Sequence, residues 1–140
     1  RDRESEVDDE MEVDVGGLAA MFYGAVAGLG EPLFVEGHLS HLLPVDMAVV
    51  LRSPPDVVRK RLVERGYPAG KVEENVEAEM VGVCLAEALE GGFPVCEIDS
   101  SRFSPGELAD VVLELVARVS GGKDLSPYTP GSVDWLEEVF

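Results

Sequence analysis

The chain has 140 residues, 46% of them hydrophobic, with a mean hydropathy of +0.08, which is enough apolar material for one soluble domain with a core. Its apolar runs are broken by glycine or charge well short of a membrane span, and no signal-peptide pattern is present. A formal net charge of −17 excludes generic nucleic-acid binding by bulk electrostatics.

Residues 1 to 14 are polar and acidic and read as a mobile loop. A helix rich in small residues is expected from about 15 to 29, with Leu18, Met21, Phe22 and Val26 spaced for one buried face. "PLFVEG" (32 to 37) and "MAVVLR" (47 to 52) are continuous apolar runs of the kind that fill parallel sheets. Ser53 is placed to cap a helix with Pro54 in its first turn, running to Arg65. Gly66-Tyr67-Pro68-Ala69-Gly70 then breaks the chain before a longer helix, roughly 69 to 90, that stops at Gly91-Gly92. "PVCEID" (94 to 99) is a third buried strand, and Ser104-Pro105-Gly106-Glu107 is a capping box opening a helix to about Val119. A glycine-rich linker and a short amphipathic helix around Trp135 close the chain. Strands alternating with helices predict an α/β fold with a mostly parallel sheet. Cys84 and Cys96 lie in segments expected to be buried, which suits a reducing cytoplasm rather than a disulfide framework.

Charge is distributed unevenly. Between residues 52 and 71, six basic side chains (Arg52, Arg59, Lys60, Arg61, Arg65 and Lys71) face two acidic ones (Asp56 and Glu64). That segment is a net +4, so the rest of the chain carries −21. Such an island can hold a phosphorylated ligand, with Arg52 and Arg61 as candidate phosphate contacts, or can be a solvated helix face with i,i+4 pairs. In open α/β sheets ligands sit at the carboxyl ends of the strands, which here carry Glu36-Gly37-His38, Arg52 and Asp99-Ser100. Glu36 and His38, two apart on extended chain, share a face. A carboxylate there can orient a Mg²⁺-bound water, and a histidine can position a phosphate or a water; the alternative is that His38 and His41 cap the following turn. Lys71, Asn75 and Glu79 form one i,i+4 line beside Val72, Val76 and Met80.

The stretch "VEGHLSHLLPVDMAVVLRSPPDVVRKRLVERGYPAGKVEENVEAEM" resembles the adenylate kinase isoenzyme 6 family, above all its archaeal adenylate kinases. The shared features are an acidic-x-His motif after a strand, a strand ending in Leu-Arg, then Arg-Leu-x-x-Arg-Gly-Tyr, then Lys-x-x-x-Asn-x-x-x-Glu. The ending "PGSVDWLEEVF" is also similar, and the resemblance runs from about residue 7 to 140. It implies a P-loop NTPase or nucleoside monophosphate kinase-like domain over residues 1 to 119, followed by a tail over 120 to 140. Within it, residues 1 to 15 are the remnant of the monophosphate-binding region. Residues Glu64 to Glu74, including Gly66, Tyr67 and Lys71, form a short lid. Arg65 resembles the lid arginine that reaches the ATP phosphates, a task suited to a side chain that stays charged and grips two oxygens. Glu36 and His38 resemble a Walker B-like motif, usually with Asp in place of Glu36, in which the acid holds Mg²⁺ through water. Ser104 matches the position whose backbone meets adenine. The implied reaction is ATP plus AMP giving two ADP, AMP or another nucleoside monophosphate being the acceptor, with ATPase activity beside it. A cytoplasmic role in late small-ribosomal-subunit maturation and rRNA precursor processing, through a platform ribosomal protein, is also implied.

No G-x-x-x-x-G-K-[ST] occurs in the 140 residues. "SGGKD" (120 to 124) fails in spacing, has Asp124 for Ser/Thr, and follows a helix. The family's first strand, P-loop, first helix and second strand, a βαβ unit of roughly 30 residues or more, are therefore expected upstream of Arg1. The missing first strand is expected between the runs at 32 to 36 and 47 to 52. Two readings stand: the carboxyl-terminal part of a kinase, or a non-catalytic truncated module that binds a ribosomal protein through its acidic surface.

Overall fold

Side-chain parity along the two apolar strands decides what packs on each side of the sheet. In the computed structural model, which describes residues 15–26, 33–37 and 39–136, β1 (Ala48–Arg52) and β2 (Val95–Asp99) pair in parallel. The register runs from Ala48 opposite Val95 to Arg52 opposite Asp99. Since alternate residues face opposite sides, Ala48, Val50 and Val95 meet Ala88, Leu85 and Phe93 on one face. Met47, Val49, Cys96 and Ile98 meet Leu108, Val111, Val112 and Leu115 on the other. The latter four recur at helical spacing in the helix Pro105–Ser120, so one stripe is covered by the sheet. Its capping box is present as expected: Glu107 N–H donates to Ser104 Oγ at 3.2 Å, and Ser104 N–H to Glu107 Oε1 at 2.8 Å.

The chain divides into two compact units, residues 1–44 and 45–140. In the first, α1 spans Val15–Val26 and a 3-10 turn spans Ser40–Leu42. In the second, β1 leads into α2 (Pro55–Glu64), α3 (Ala69–Val81) and α4 (Val83–Leu89), then β2 and α5 (Pro105–Ser120). The last described residues, 120 to 136, fold back over β2.

Several expectations are corrected. Residues 33–36 form no ladder, and Leu33, Phe34 and Val35 are exposed. Among the described residues the sheet has only β1 and β2, so this apolar run has no strand beside it to supply hydrogen bonds. Leu18 and Met21 are exposed rather than buried, because the described part of their unit offers no second layer to close over them. The N-cap of α2 is Pro54, and Ser53 makes no capping bond; its hydroxyl lies 3.2 Å from Ser100 Oγ instead. The helix expected from 69 to 90 is two helices meeting at Gly82. Cys84 is exposed while Cys96 is buried. The acidic segment 1–14, the end of the first helix at 27–29, His38 and the final residues 137–140 of the tail lie outside the described residues.

Two glycines carry the breaks. Gly66 takes φ +83°, and its N–H donates to Val63 O at 2.9 Å while Tyr67 N–H donates to Leu62 O at 3.1 Å. That pair of bonds is the Schellman closure of α2, which requires a left-handed residue at this place. Gly82 takes φ +74° and closes α3 through its N–H to Ala78 O and Glu79 O. A Cβ added there would lie 3.6 Å from Arg52 Nη1, an ordinary contact, so the cost of a side chain is conformational. Gly82→Ala is expected to lower stability by about 1–2 kcal/mol. Gly70→Ala, in the first turn of α3 with open space around it, should raise stability by about 0.4–1 kcal/mol. Urea denaturation of the two variants checks both signs.

Candidate active site

At the carboxyl end of β1 the Arg52 side chain turns inward, onto the face it shares by parity with Glu97. Arg52 is 3% exposed and Glu97 0%, so both must be satisfied within the protein. Arg52 Nη1–H donates to Glu97 Oε2 in a short ion pair, and Nε–H donates to Glu79 Oε2 at 2.5 Å. Its Nη2–H donates to the Glu79 carbonyl. The second Glu97 oxygen accepts from Gly131 N–H at 2.9 Å and Val133 N–H at 3.3 Å. Glu79 Oε2 also accepts from Trp135 Nε1–H at 2.8 Å, and the Arg52 guanidinium lies 6.0 Å from the Trp135 ring centroid, within cation–π range. Burial is the largest single influence on the Arg52 pKa and pulls it down. The hydrogen bonds and charges of Glu79, then Glu97, together outweigh burial and hold the pKa above its ordinary value. Arg52 is therefore committed to internal partners, unlike the free phosphate contact that the basic island suggested.

The rest of the island lies on a helical hairpin. Arg59 in α2 grips Glu73 in α3 through two bonds, Nε–H to Oε2 at 3.0 Å and Nη2–H to Oε1 at 3.1 Å. The guanidinium's bond and charge hold the Glu73 carboxyl below its usual range. Arg61 reaches back toward the strand ends, where Nη1–H donates to Ser53 Oγ at 3.4 Å. Ser100 Oγ donates to Arg52 O at 2.9 Å, so the hydroxyls of Ser53 and Ser100 tie the ends of β1 and β2 together. Asp99 Oδ1 caps the turn that follows, accepting from Ser101 N–H and Ser101 Oγ–H. Arg65, the C-cap of α2, is exposed and makes no side-chain bond or ion pair among the described residues. Lys71 Nζ lies 3.8 Å from Glu74 Oε1, and Asn75 donates to Lys71 O at 2.8 Å.

Ser104 sits after β2 with both backbone groups engaged: its N–H in the capping box, its carbonyl accepting from Leu108 N–H at 2.8 Å. Glu36 belongs to the first unit, where it lines an open hollow of about 320 Å³ with Leu18, Val35, Ser40 and Leu43. Gly37, with φ +146°, accepts from Ser40 N–H and Oγ–H to close the turn beside it. The structure thus brings Arg52, Ser53, Arg61 and Ser100 to one strand end, with Arg65 at the tip of the adjoining hairpin. Glu79 and Trp135, marked in the sequence only as part of a polar helical line and of a terminal helix, prove to be organising residues, as does Glu97, which residue types alone did not single out. A carboxylate in the middle of the apolar run "PVCEID" was the available signal. Among the described residues, no group of three or more His, Cys, Asp and Glu is placed to hold a metal ion. No helix among them is long and apolar enough to cross a membrane.

The described residues form a parallel α/β layer with a basic helical hairpin leaving a strand's carboxyl end, and a sequence model of the AAA domain matches residues 1–82, which makes this a P-loop NTPase-like domain. A "Putative adenylate kinase" of Thermococcus onnurineus is 42% identical over 132 residues, covering 94% of this chain and 69% of that protein. Proteins of the same name from Thermococcus gammatolerans and Archaeoglobus fulgidus are 44% and 43% identical, over 92% and 96% of this chain and 68% and 70% of theirs. The chain belongs to this archaeal adenylate kinase family.

Losing one partner of a buried ion pair strands the other charge. Glu97→Ala is expected to destabilise by about 3–5 kcal/mol. It also leaves Gly131 and Val133 N–H without an acceptor. Trp135, the sole tryptophan, reports the event: its emission should shift to longer wavelength at denaturant concentrations where the wild type is still folded.

Proposed function

We propose that this chain carries the lid and strand-end part of a nucleoside monophosphate kinase that converts ATP and AMP to two ADP, with ATP hydrolysis as a side reaction or the working mode. The observation that carries the reading is Arg65. It is an exposed guanidinium with no side-chain partner among the described residues, at a lid tip fixed by a Schellman turn, in a chain of net charge −17. Other arginines of the hairpin are engaged: Arg59 with Glu73 and Arg61 with Ser53. Leaving one fork free where acidic partners abound suits a phosphate ligand. In this reading Arg65 meets the ATP phosphates and acts on charge developing in transfer, where positioning and neutralisation supply most of the catalysis. Arg61 is the second candidate phosphate contact. The backbone of Ser104 would meet adenine, with the second lone pair of its carbonyl as the remaining group.

Mg²⁺ bound with ATP supplies charge neutralisation at the phosphates. Glu36 is exposed at its hollow, as a carboxylate acting on the ion through water has to be. His38 would position a water or a phosphate. The reading extends to a cytoplasmic role in small-subunit maturation with a platform ribosomal protein as partner; the −17 charge bears only on the partner, favouring a basic surface. The second reading is a non-catalytic module that binds a ribosomal protein through its acidic surface, which the same net charge supports. The reading frame preceding Arg1 separates the two: an in-frame P-loop supports the kinase, a stop codon the module.

Arg65→Lys keeps the charge and loses the fork. In the intact protein turnover should fall about 10- to 100-fold with little change in ATP affinity. Equal losses in both, or none, would make Arg65 an ordinary helix terminus. For the other pair, His38→Ala should depress ATP hydrolysis with ATP binding retained, while Glu36→Gln should raise the Mg²⁺ concentration needed for half-maximal rate. ATPase rates titrated with Mg²⁺ check this. Full activity with only a lower melting temperature for His38→Ala would return that histidine to a turn-capping role.

A further inference from the structure

The lid hairpin α2–α3 joins the rest of its unit at two places, Ser53-Pro54 before α2 and Gly82 after α3. Its arms are tied to each other by the two-bond Arg59–Glu73 pair and by the Gly66 closure. Such a hairpin moves as one piece, and whatever freedom it has is concentrated at its two ends. Both ends meet Glu79. Its Oε2 lies 3.4 Å from Ser53 N–H, at the first end. The same oxygen accepts from Arg52 Nε–H, and the Glu79 carbonyl accepts from Arg52 Nη2–H, three residues before Gly82 at the second end. Trp135 Nε1–H donates to this oxygen as well, at 2.8 Å. One carboxylate oxygen thus joins the end of β1, the start of the hairpin and the tail.

We propose that Glu79 and Trp135 are positioning residues that clamp the two ends of the lid hairpin to the tail, so that docking of Trp135 sets how the lid presents Arg65. The proposal rests on the nucleotide reading above for its kinetic consequence, but not for the clamp itself. The tail is suited to the task because it is anchored independently of the hairpin. Glu97 holds Gly131 and Val133 N–H, and Tyr128 O accepts from Glu97 N–H at 2.9 Å, all on the rigid strand β2. Trp135 then spans from that anchor to Glu79, its ring against Arg52. A residue that only filled a core would need no donor aimed at a charged oxygen shared with a hinge. The Glu79 side chain is 20% exposed, so it keeps an outlet to solvent through which the clamp can loosen.

The test uses the intact protein and three variants: Trp135→Phe, which keeps an aromatic ring but removes the donor together with the indole's second ring, Arg65→Ala, and the double variant. Hydrogen exchange is read first. A hydrogen bond to a charged group corresponds to roughly a tenfold or larger change in a local opening equilibrium. Trp135→Phe should therefore accelerate exchange about tenfold or more at Ser53 and Gly82, with the amides of Ile98 and Leu115 unchanged. Equal acceleration in β2, α5 and the hinges would show plain loss of global stability and overturn the clamp, as would no change at the hinges. Kinetics is read second. Trp135→Phe should lower kcat several-fold with KM for the monophosphate unchanged, and in the Arg65→Ala background it should cost nothing further. Full additivity in the double variant overturns the link to Arg65. If the intact protein transfers no phosphoryl group, the nucleotide reading fails by itself, and the exchange pattern still decides the clamp.

Discussion

A guanidinium taken out of water at the end of a parallel strand must find carboxylates, and Arg52 finds two. Moving both signs of charge into the interior is costly, and the return depends on every donor and acceptor being met. Here Glu97 divides its oxygens between Arg52 and two tail amides, while Glu79 takes Arg52, Ser53 and Trp135. The exposed Arg59–Glu73 pair, despite its two well-formed bonds, belongs to a class worth about 0–1 kcal/mol. The buried cluster, by contrast, fixes where β1, β2, α3 and the tail lie with respect to one another. Swapping it for apolar residues could match its stability but would not reproduce that geometry.

The sequence shows clearly what depends on local chemistry. The strands at 48–52 and 95–99 follow from apolar runs, the helix 105–120 from its capping box and stripe, and the break at Gly66 from the need for a left-handed residue. Less legible is whatever depends on a partner distant in sequence. Leu33 to Val35 are as apolar as β1, yet with no neighbouring strand among the described residues they stay irregular and exposed. Glu79 sits on a polar helical line with Lys71 and Asn75 and reads as solvated, and only the placement of Arg52 and Trp135 turns it inward. Arg52 illustrates the same limit from the other side. Counted with its basic neighbours it looked available to a ligand, whereas parity with Glu97 on one sheet face commits it to the interior. Reading the strand pair together, rather than one at a time, would have exposed that match.

Acidity overall and basicity at the hairpin are two aspects of one arrangement. Exposed cations in a chain of charge −17 are drawn into ion pairs wherever geometry allows, as at Arg59, Arg102 and Arg118. Arg65, at the C-cap where α2 ends and the chain turns through Gly66, has no such pair among the described residues.

The spans closed by the Arg52 cluster also bear on the order in which the unit is assembled. Arg52 lies 27 residues from Glu79 and 45 from Glu97, and Glu79 lies 56 from Trp135. Closing such loops costs entropy that grows slowly with length, but contacts of this separation are slow to find. The local pieces, α5 with its cap and the α2–α3 hairpin with its glycine turn, can form as soon as their residues exist. The cluster cannot. On a chain made from the amino end, the arginine of β1 waits for a carboxylate on the second strand and then for an indole nearly the whole unit away. Until that last segment emerges, the strand ends carry a cation with incomplete company, and the hairpin beside them has no fixed base.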